Sequence, residues 1–117
     1  YIEIRHRGSI STWSKAGGEL FVQNSTMNYD FTDQLNKAYE NNIKQIDSSP
    51  DLYAVFGGDI NQEGIIDLTD VILIQNNVVN FVEGYVNTDV NGDNITDLND
   101  VIISYNNSVN FIISKAP

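Results

Sequence analysis

Oxygen-bearing side chains recur at one spacing in residues 59–70, "DINQEGIIDLTD", and in residues 89–100, "DVNGDNITDLND". Numbered from the first Asp, each stretch carries an acid or an amide at positions 1, 3, 5, 9 and 12. Such groups could bind a hard cation, serve as paired carboxylates in glycoside hydrolysis, or cap helices. Because the same spacing occurs twice, one shared chemistry is favoured over chance.

The spacing matches the ligand order of a twelve-residue calcium loop, in which position 7 offers only its backbone carbonyl. The predicted ligands are Asp59, Asn61, Glu63, Ile65, Asp67 and Asp70 in the first loop, and Asp89, Asn91, Asp93, Ile95, Asp97 and Asp100 in the second. We therefore predict two calcium ions per chain. Carboxylates spaced as metal ligands would be occupied by the ion, which argues against a glycosidase.

The two loops depart in detail from the usual calcium loop, which carries Glu at position 12 where both loops here have Asp. Position 5 is the long Glu63 in the first loop and Asp93 in the second, so we expect the second loop to be the more regular one. Gly64 and Asn94 at position 6 both tolerate positive φ. At position 8, Ile66 and Thr96 could form a small ladder between the loops.

A helix-capping interpretation explains part of the same pattern. Asp67 and Asp97 would be N-caps, with Asp70 and Asp100 in the first helical turn. This predicts helices over 68–79 and 98–109 but leaves the acids at positions 1 and 5 and the Asn at position 3 unexplained. We expect the helices to pack through two stripes, Leu68, Val71, Ile72, Gln75 and Val79, and Leu98, Val101, Ile102, Tyr105 and Val109.

The N-terminal half is predicted to be rich in β-strands. "YIEIRHR", "GELFV", "MNYDFT" and "DLYAVF" are the strand candidates, and residues 33–46 form a short helix or an ordered loop. Gly57 and Gly58 mark a boundary. The expected fold class is α+β, with a short, partly sandwich-like β-rich segment over residues 1–56 and a tandem calcium-binding repeat over residues 57–117.

The composition limits the classes of function. The formal charge is −10, and eight of the sixteen acids lie in the two loops, which argues against a nucleic-acid partner. No apolar run reaches the roughly 20 residues of a membrane span. The chain has no Cys, which excludes disulfides and thiolate metal sites. It starts at Tyr1 in a predicted strand, so we expect a piece of a larger protein.

Catalysis finds little support in the sequence. His6 is the only His, and no nucleophilic Ser/His/Asp or Cys/His set accompanies it, so we predict that the protein is not an enzyme. Trp13 and the six Tyr could form a platform on which sugar rings stack. A carbohydrate-binding module therefore stays as an alternative.

Two loops with Asp at position 12, each followed by one helix and lacking an entering helix, resemble the duplicated F-hand of dockerin domains. The resemblance covers residues 59–115 and implies a calcium-organised helix pair that binds a cohesin module. Positions 10 and 11, which read the cohesin in that family, are Leu68-Thr69 and Leu98-Asn99 here. The preceding segment resembles β-rich regions of large secreted bacterial proteins, which implies an extracellular or cell-surface location.

These observations predict a non-catalytic, calcium-stabilised structural or assembly module of a larger secreted protein. Its partner would be another domain of the parent protein, a cohesin-like module if it is a true dockerin, or identical copies. The last alternative is a filament subunit, because few predicted strands leave an open sheet edge that strand addition could fill.

Overall fold

The protein has an α+β fold of two α-helices and two small antiparallel sheets, and the computed structural model describes all residues from 1 to 117. Backbone contacts divide the chain into two units. The first unit comprises Tyr1–Ile4, Thr12–Val55 and Lys115–Pro117, and the second comprises Arg5–Ser11 and Phe56–Ser114. Residues 5–11 thus belong with the C-terminal repeats, although the predicted division ran at residue 57.

The first unit contains both sheets. Strand β1 (Glu3–Ile4) pairs with β2 (Thr12–Trp13), and β3 (Lys44–Ser48) pairs with β4 (Asp51–Ala54). The second pair is a hairpin closed at Ser49–Pro50, which has a cis peptide bond. Every residue of β3 is exposed, and the strand has a neighbour on one side only.

Two of the four strand predictions for the first unit were wrong, whereas β1 lies within "YIEIRHR" and β4 lies within "DLYAVF". "GELFV" and "MNYDFT" form no strands, and Leu20 and Phe21 are 84% and 76% exposed. Residues 33–46 contain two 3₁₀ turns, Leu35–Lys37 and Tyr39–Asn41, followed by most of β3. Positive φ angles at Glu40 and Asn41 interrupt the helical run.

The second unit carries both α-helices, at the predicted residues. Helix α1 spans Leu68–Val79 and helix α2 spans Leu98–Val109. Asp67 and Asp97 are their N-caps, and each forms a capping box with the Asp three residues later. Both helices therefore begin where short-range hydrogen bonding dictates.

The predicted packing of the two helices through their apolar stripes was wrong. Leu68, Ile72 and Val79 of α1 are 62%, 55% and 64% exposed, and the equivalent residues of α2 are at least half exposed. The buried positions are Asp70, Val71 and Ile74 in α1, and Asp100, Ser104 and Asn107 in α2. Asp70 and Asp100 accept hydrogen bonds from the loop backbone, and these bonds orient the helix faces that carry them toward the interior.

The two repeats pair reciprocally through short bridges. Residues 65 and 66 of the first loop pair with the chain after α2, through an Ile65–Ile113 bridge and a bond from Ile66 N to Ile112 O of 3.0 Å. The second loop pairs in the same way with the chain after α1, where Thr96 N donates to Val82 O at 3.0 Å. Each loop thus pairs with the chain after the other repeat's helix, and this pairing replaces the expected ladder between Ile66 and Thr96.

The core of the second unit draws on distant parts of the sequence. Its fully or nearly buried apolar side chains are Ile10, Ile60, Ile66, Val71 and Ile74. Ile10 N donates to Phe56 O at 3.1 Å, which holds residues 5–11 against the start of the first repeat. Neither twelve-residue helix is long and apolar enough to cross a membrane.

Candidate metal centre

The Asp at position 12 ties each loop to the helix that follows it. Asp70 Oδ1 accepts the N–H groups of Ile60 and Asn61 at 2.8 and 3.3 Å, and its Oδ2 accepts that of Asp67 at 3.0 Å. Asp100 accepts the equivalent N–H groups of the second loop at 2.8, 3.1 and 2.8 Å. Both carboxylates are fully buried, and each accepts three backbone N–H groups.

The Asp at position 1 organises the loop itself. Asp59 accepts the N–H groups of Glu63 and Gly64 at 3.0 and 2.9 Å. In the second loop, Asp89 accepts those of Gly92, Asp93 and Asn94 at 2.8, 3.0 and 3.0 Å. Each loop is therefore curled around its first carboxylate.

The residues at positions 6 and 7 shape the bend of each loop. Gly64 and Asn94 at position 6 adopt positive φ angles of 86° and 70°, as their residue types predict. At position 7, the side chains of Ile65 and Ile95 are 47% and 48% exposed. At this position only the backbone carbonyl is available as a ligand.

Positions 3 and 5 are joined in both loops. Asn61 Nδ2 donates to Glu63 Oε1 at 2.9 Å, and Asn91 Nδ2 donates to Asp93 Oδ2 at 3.0 Å. The Asn Oδ1 accepts the N–H of the position-5 residue at 3.1 and 3.0 Å, respectively. The five predicted side-chain ligands of each loop thus form one continuous set of hydrogen bonds.

Three carboxylates of the first loop come together at one point. One oxygen from each of Glu63, Asp67 and Asp70 lies within 4.8 Å of the other two. Oxygens bound to one calcium ion at 2.3–2.6 Å are at most about 5 Å apart. The three carboxylates could therefore hold one metal ion.

The second loop forms no comparable group of three carboxylates. Asp93 is one methylene shorter than Glu63, and its carboxylate accepts the N–H of Ile95 at 3.0 Å and the amide of Asn91. The first loop, not the more regular second loop, is thus the one whose carboxylates converge. The long side chain at position 5 explains this difference.

Asp59 has a perturbed ionisation equilibrium. Burial raises the pKa of its carboxyl above the ordinary range, and the Asp70 carboxylate acts in the same direction, whereas the N–H groups of Gly64 and Glu63 lower it. A cation bound in the loop would favour the charged form and so oppose this shift. A bound cation would therefore reduce the repulsion between these neighbouring carboxylates.

Two polar residues that contact the loops were not singled out from the sequence. Arg7 Nη1 donates to the carbonyl of Asp89 at 3.0 Å, and its Nη2 lies 3.6 Å from Asp89 Oδ2. Gln62 Nε2 donates to the equivalent carbonyl, that of Asp59, at 2.8 Å. Arg7 lies about 80 residues from the second loop in the chain, and no local pattern signals that contact.

The donor set consists of oxygen atoms only, which suits calcium or magnesium and excludes thiolate ligation. Twelve-residue loops with alternating ligands suit the larger, more flexibly coordinated calcium ion. The chain matches no family model, no curated protein and no solved structure in the comparisons with known proteins.

Proposed function

We propose that the second unit is a duplicated calcium-binding module with a structural, non-catalytic role. The observation that carries the proposal is the convergence of Glu63, Asp67 and Asp70, which come from positions 5, 9 and 12 of the first loop. The repetition of the hydrogen-bond set in the second loop supports a second ion there. Calcium would offset part of the net charge of −10 and join each loop to its helix.

The weak apolar packing of the helices supports this role. Helix α2 buries Asp100, Ser104 and Asn107 and no large apolar side chain completely. A helix that buries so little apolar surface gains little from the hydrophobic effect. Ion binding to the folded form alone would supply the missing stability.

The proposal is tested by metal content. We expect two calcium ions per chain by elemental analysis after chelation and exchange into calcium buffer, and no zinc at the loops, since they offer no Cys or His. A calcium content near zero would refute the proposal.

A protein partner is the second part of the proposed function, and the exposed apolar surface supports it. An open groove of about 530 Å³ runs past Leu68, Tyr105, Val109 and Phe111. Phe111 and its repeat equivalent Phe81 are 85% and 86% exposed. In a secreted protein, such a surface would contact a neighbouring domain or a cohesin-like module.

This second part has its own experiment. A double Phe81→Ser, Phe111→Ser variant should keep its calcium content but lose association with a cohesin panel or with the remainder of the parent protein. If the variant associates as strongly as the wild type, the partner binds a different surface. The fully exposed strand β3 supports the alternative of strand addition between copies, which Ile46→Pro would abolish.

A further inference from the structure

The two loops differ in the group that contacts the backbone carbonyl of position 1. In the first loop the carbonyl of Asp59 accepts from the neutral amide of Gln62 at 2.8 Å. In the second loop the carbonyl of Asp89 accepts from the guanidinium of Arg7 at 3.0 Å. The repeats therefore use a neutral donor in one loop and a cation in the other.

Arg7 is held in place from several sides. Its Nη1 also donates to Val86 O at 2.9 Å, and its guanidinium carbon lies 3.8 Å from the centre of the Tyr85 ring. The side chain of Arg7 is only 17% exposed, and that of Asp89 is fully buried. The positive charge is thus largely shielded from water, where its effect on Asp89 is stronger.

From this asymmetry, and resting on the proposed calcium function, we propose that Arg7 is a positioning residue that partly neutralises the second loop. A guanidinium beside Asp89 lowers the negative potential that attracts a divalent cation, and it repels that cation directly. The same contacts hold the start of the loop when no ion is bound. The second loop is therefore the weaker calcium site and the more ordered of the two loops in chelator.

The first loop shows the opposite combination. Three carboxylates converge there within 4.8 Å, and the donor at the position-1 carbonyl carries no charge. No basic side chain forms an ion pair with these acids, so a bound cation would reduce the repulsion between them. Calcium should consequently fill the first loop before the second.

The test uses the full chain in three variants. Arg7→Gln removes the charge but keeps a side-chain amide, Arg7→Lys keeps the charge, and Arg5→Gln removes one charge from an exposed residue of the same segment. Calcium titration is followed by calorimetry and by the amide NMR signals of Gly64 and Asn94, which report the two loops separately. In the wild type, Gly64 should respond at lower calcium than Asn94.

We expect Arg7→Gln to raise the affinity of the second loop about tenfold, whereas Arg7→Lys and Arg5→Gln stay within about twofold of wild type. In chelator, Arg7→Gln should speed amide exchange at Asn94 at least fivefold and leave Gly64 unchanged. An unchanged or weaker second site in Arg7→Gln overturns the inference while calcium binding itself stands. Absence of calcium binding to the wild type would refute the proposed function as well.

Discussion

Asp70 Oδ1 accepts the backbone N–H of Ile60 at 2.8 Å and so closes the first loop over ten residues. Asp100 and Val90 repeat the relationship at 2.8 Å in the second loop. The residue at position 12 is thus both a predicted ligand and the hydrogen-bond acceptor that fixes the orientation of the helix.

Replacing Asp100 by Ala should lower the free energy of unfolding in calcium buffer by about 2–4 kcal/mol, because buried N–H groups lose a charged acceptor. It should also remove one of the two calcium ions. Asn99→Ala is the matched control: this exposed neighbour should change stability by less than about 0.5 kcal/mol. Urea unfolding and elemental analysis check both statements, and equal losses in the two variants would contradict them.

Chelation should reduce the helical circular dichroism signal and the melting temperature. The helices bury few apolar side chains, with Val71 and Ile74 the main ones in α1. Calcium at 100–1,000 times its Kd should restore about 3–4 kcal/mol per site. Amides of the β3–β4 hairpin in the first unit are the internal control and should exchange at an unchanged rate. A helical signal that is indifferent to EDTA would contradict the prediction.

The raised pKa of Asp59 predicts a pH dependence of the metal-free protein. Since the folded pKa exceeds the unfolded one, the folded chain keeps this proton longer as the pH rises from about 4. The stability contributed by the protonated group is therefore lost as the pH rises through the folded pKa. In EDTA, Asp59→Asn stays neutral at every pH, so the melting temperature of the wild type minus that of Asp59→Asn should fall as the pH rises through this window; a value that rises with pH would show the opposite sign.

Ile10→Ala should destabilise the second unit although residue 10 lies far from the repeats in sequence. The side chain is completely buried, so its truncation should lower the free energy of unfolding by about 2–4 kcal/mol. Leu20→Ala, at a side chain 84% exposed, is the control and should change it by less than about 0.5 kcal/mol. Chemical denaturation in calcium buffer compares the two variants. An unchanged free energy of unfolding in Ile10→Ala would show that residues 5–11 do not contribute to the core.

The helices could be predicted from the sequence because their signals are local. Asp67 and Asp97 cap helices through bonds to residues two and three positions away, and the structure confirms both helix ranges. Gly64 and Asn94 likewise adopt the positive φ angles that their residue types indicate. The grouping of the first-loop carboxylates does not follow from spacing alone, because the second loop has the same spacing and forms no such group.

Long-range features could not be predicted. The buried face of α1 is set by the bonds of Asp70 to a loop ten residues earlier, which a hydrophobic pattern does not record. The contacts of Arg7 and Ile10 join residues that are 82 and 46 positions apart in the chain. "GELFV" has the composition of a strand, but a strand also needs a partner, and none lies beside it.

The exchanged bridges at Ile65–Ile113 and Glu83–Ile95 make the second unit equivalent to a symmetric dimer whose two halves happen to share one chain. Each loop completes its backbone bonding on the tail of the other repeat, so a single repeat would leave its loop and its tail without their partners. Two separate copies of one repeat could meet the same requirement by pairing with each other. The fused pair therefore has the geometry of a homodimer, and the covalent link makes its assembly independent of protein concentration.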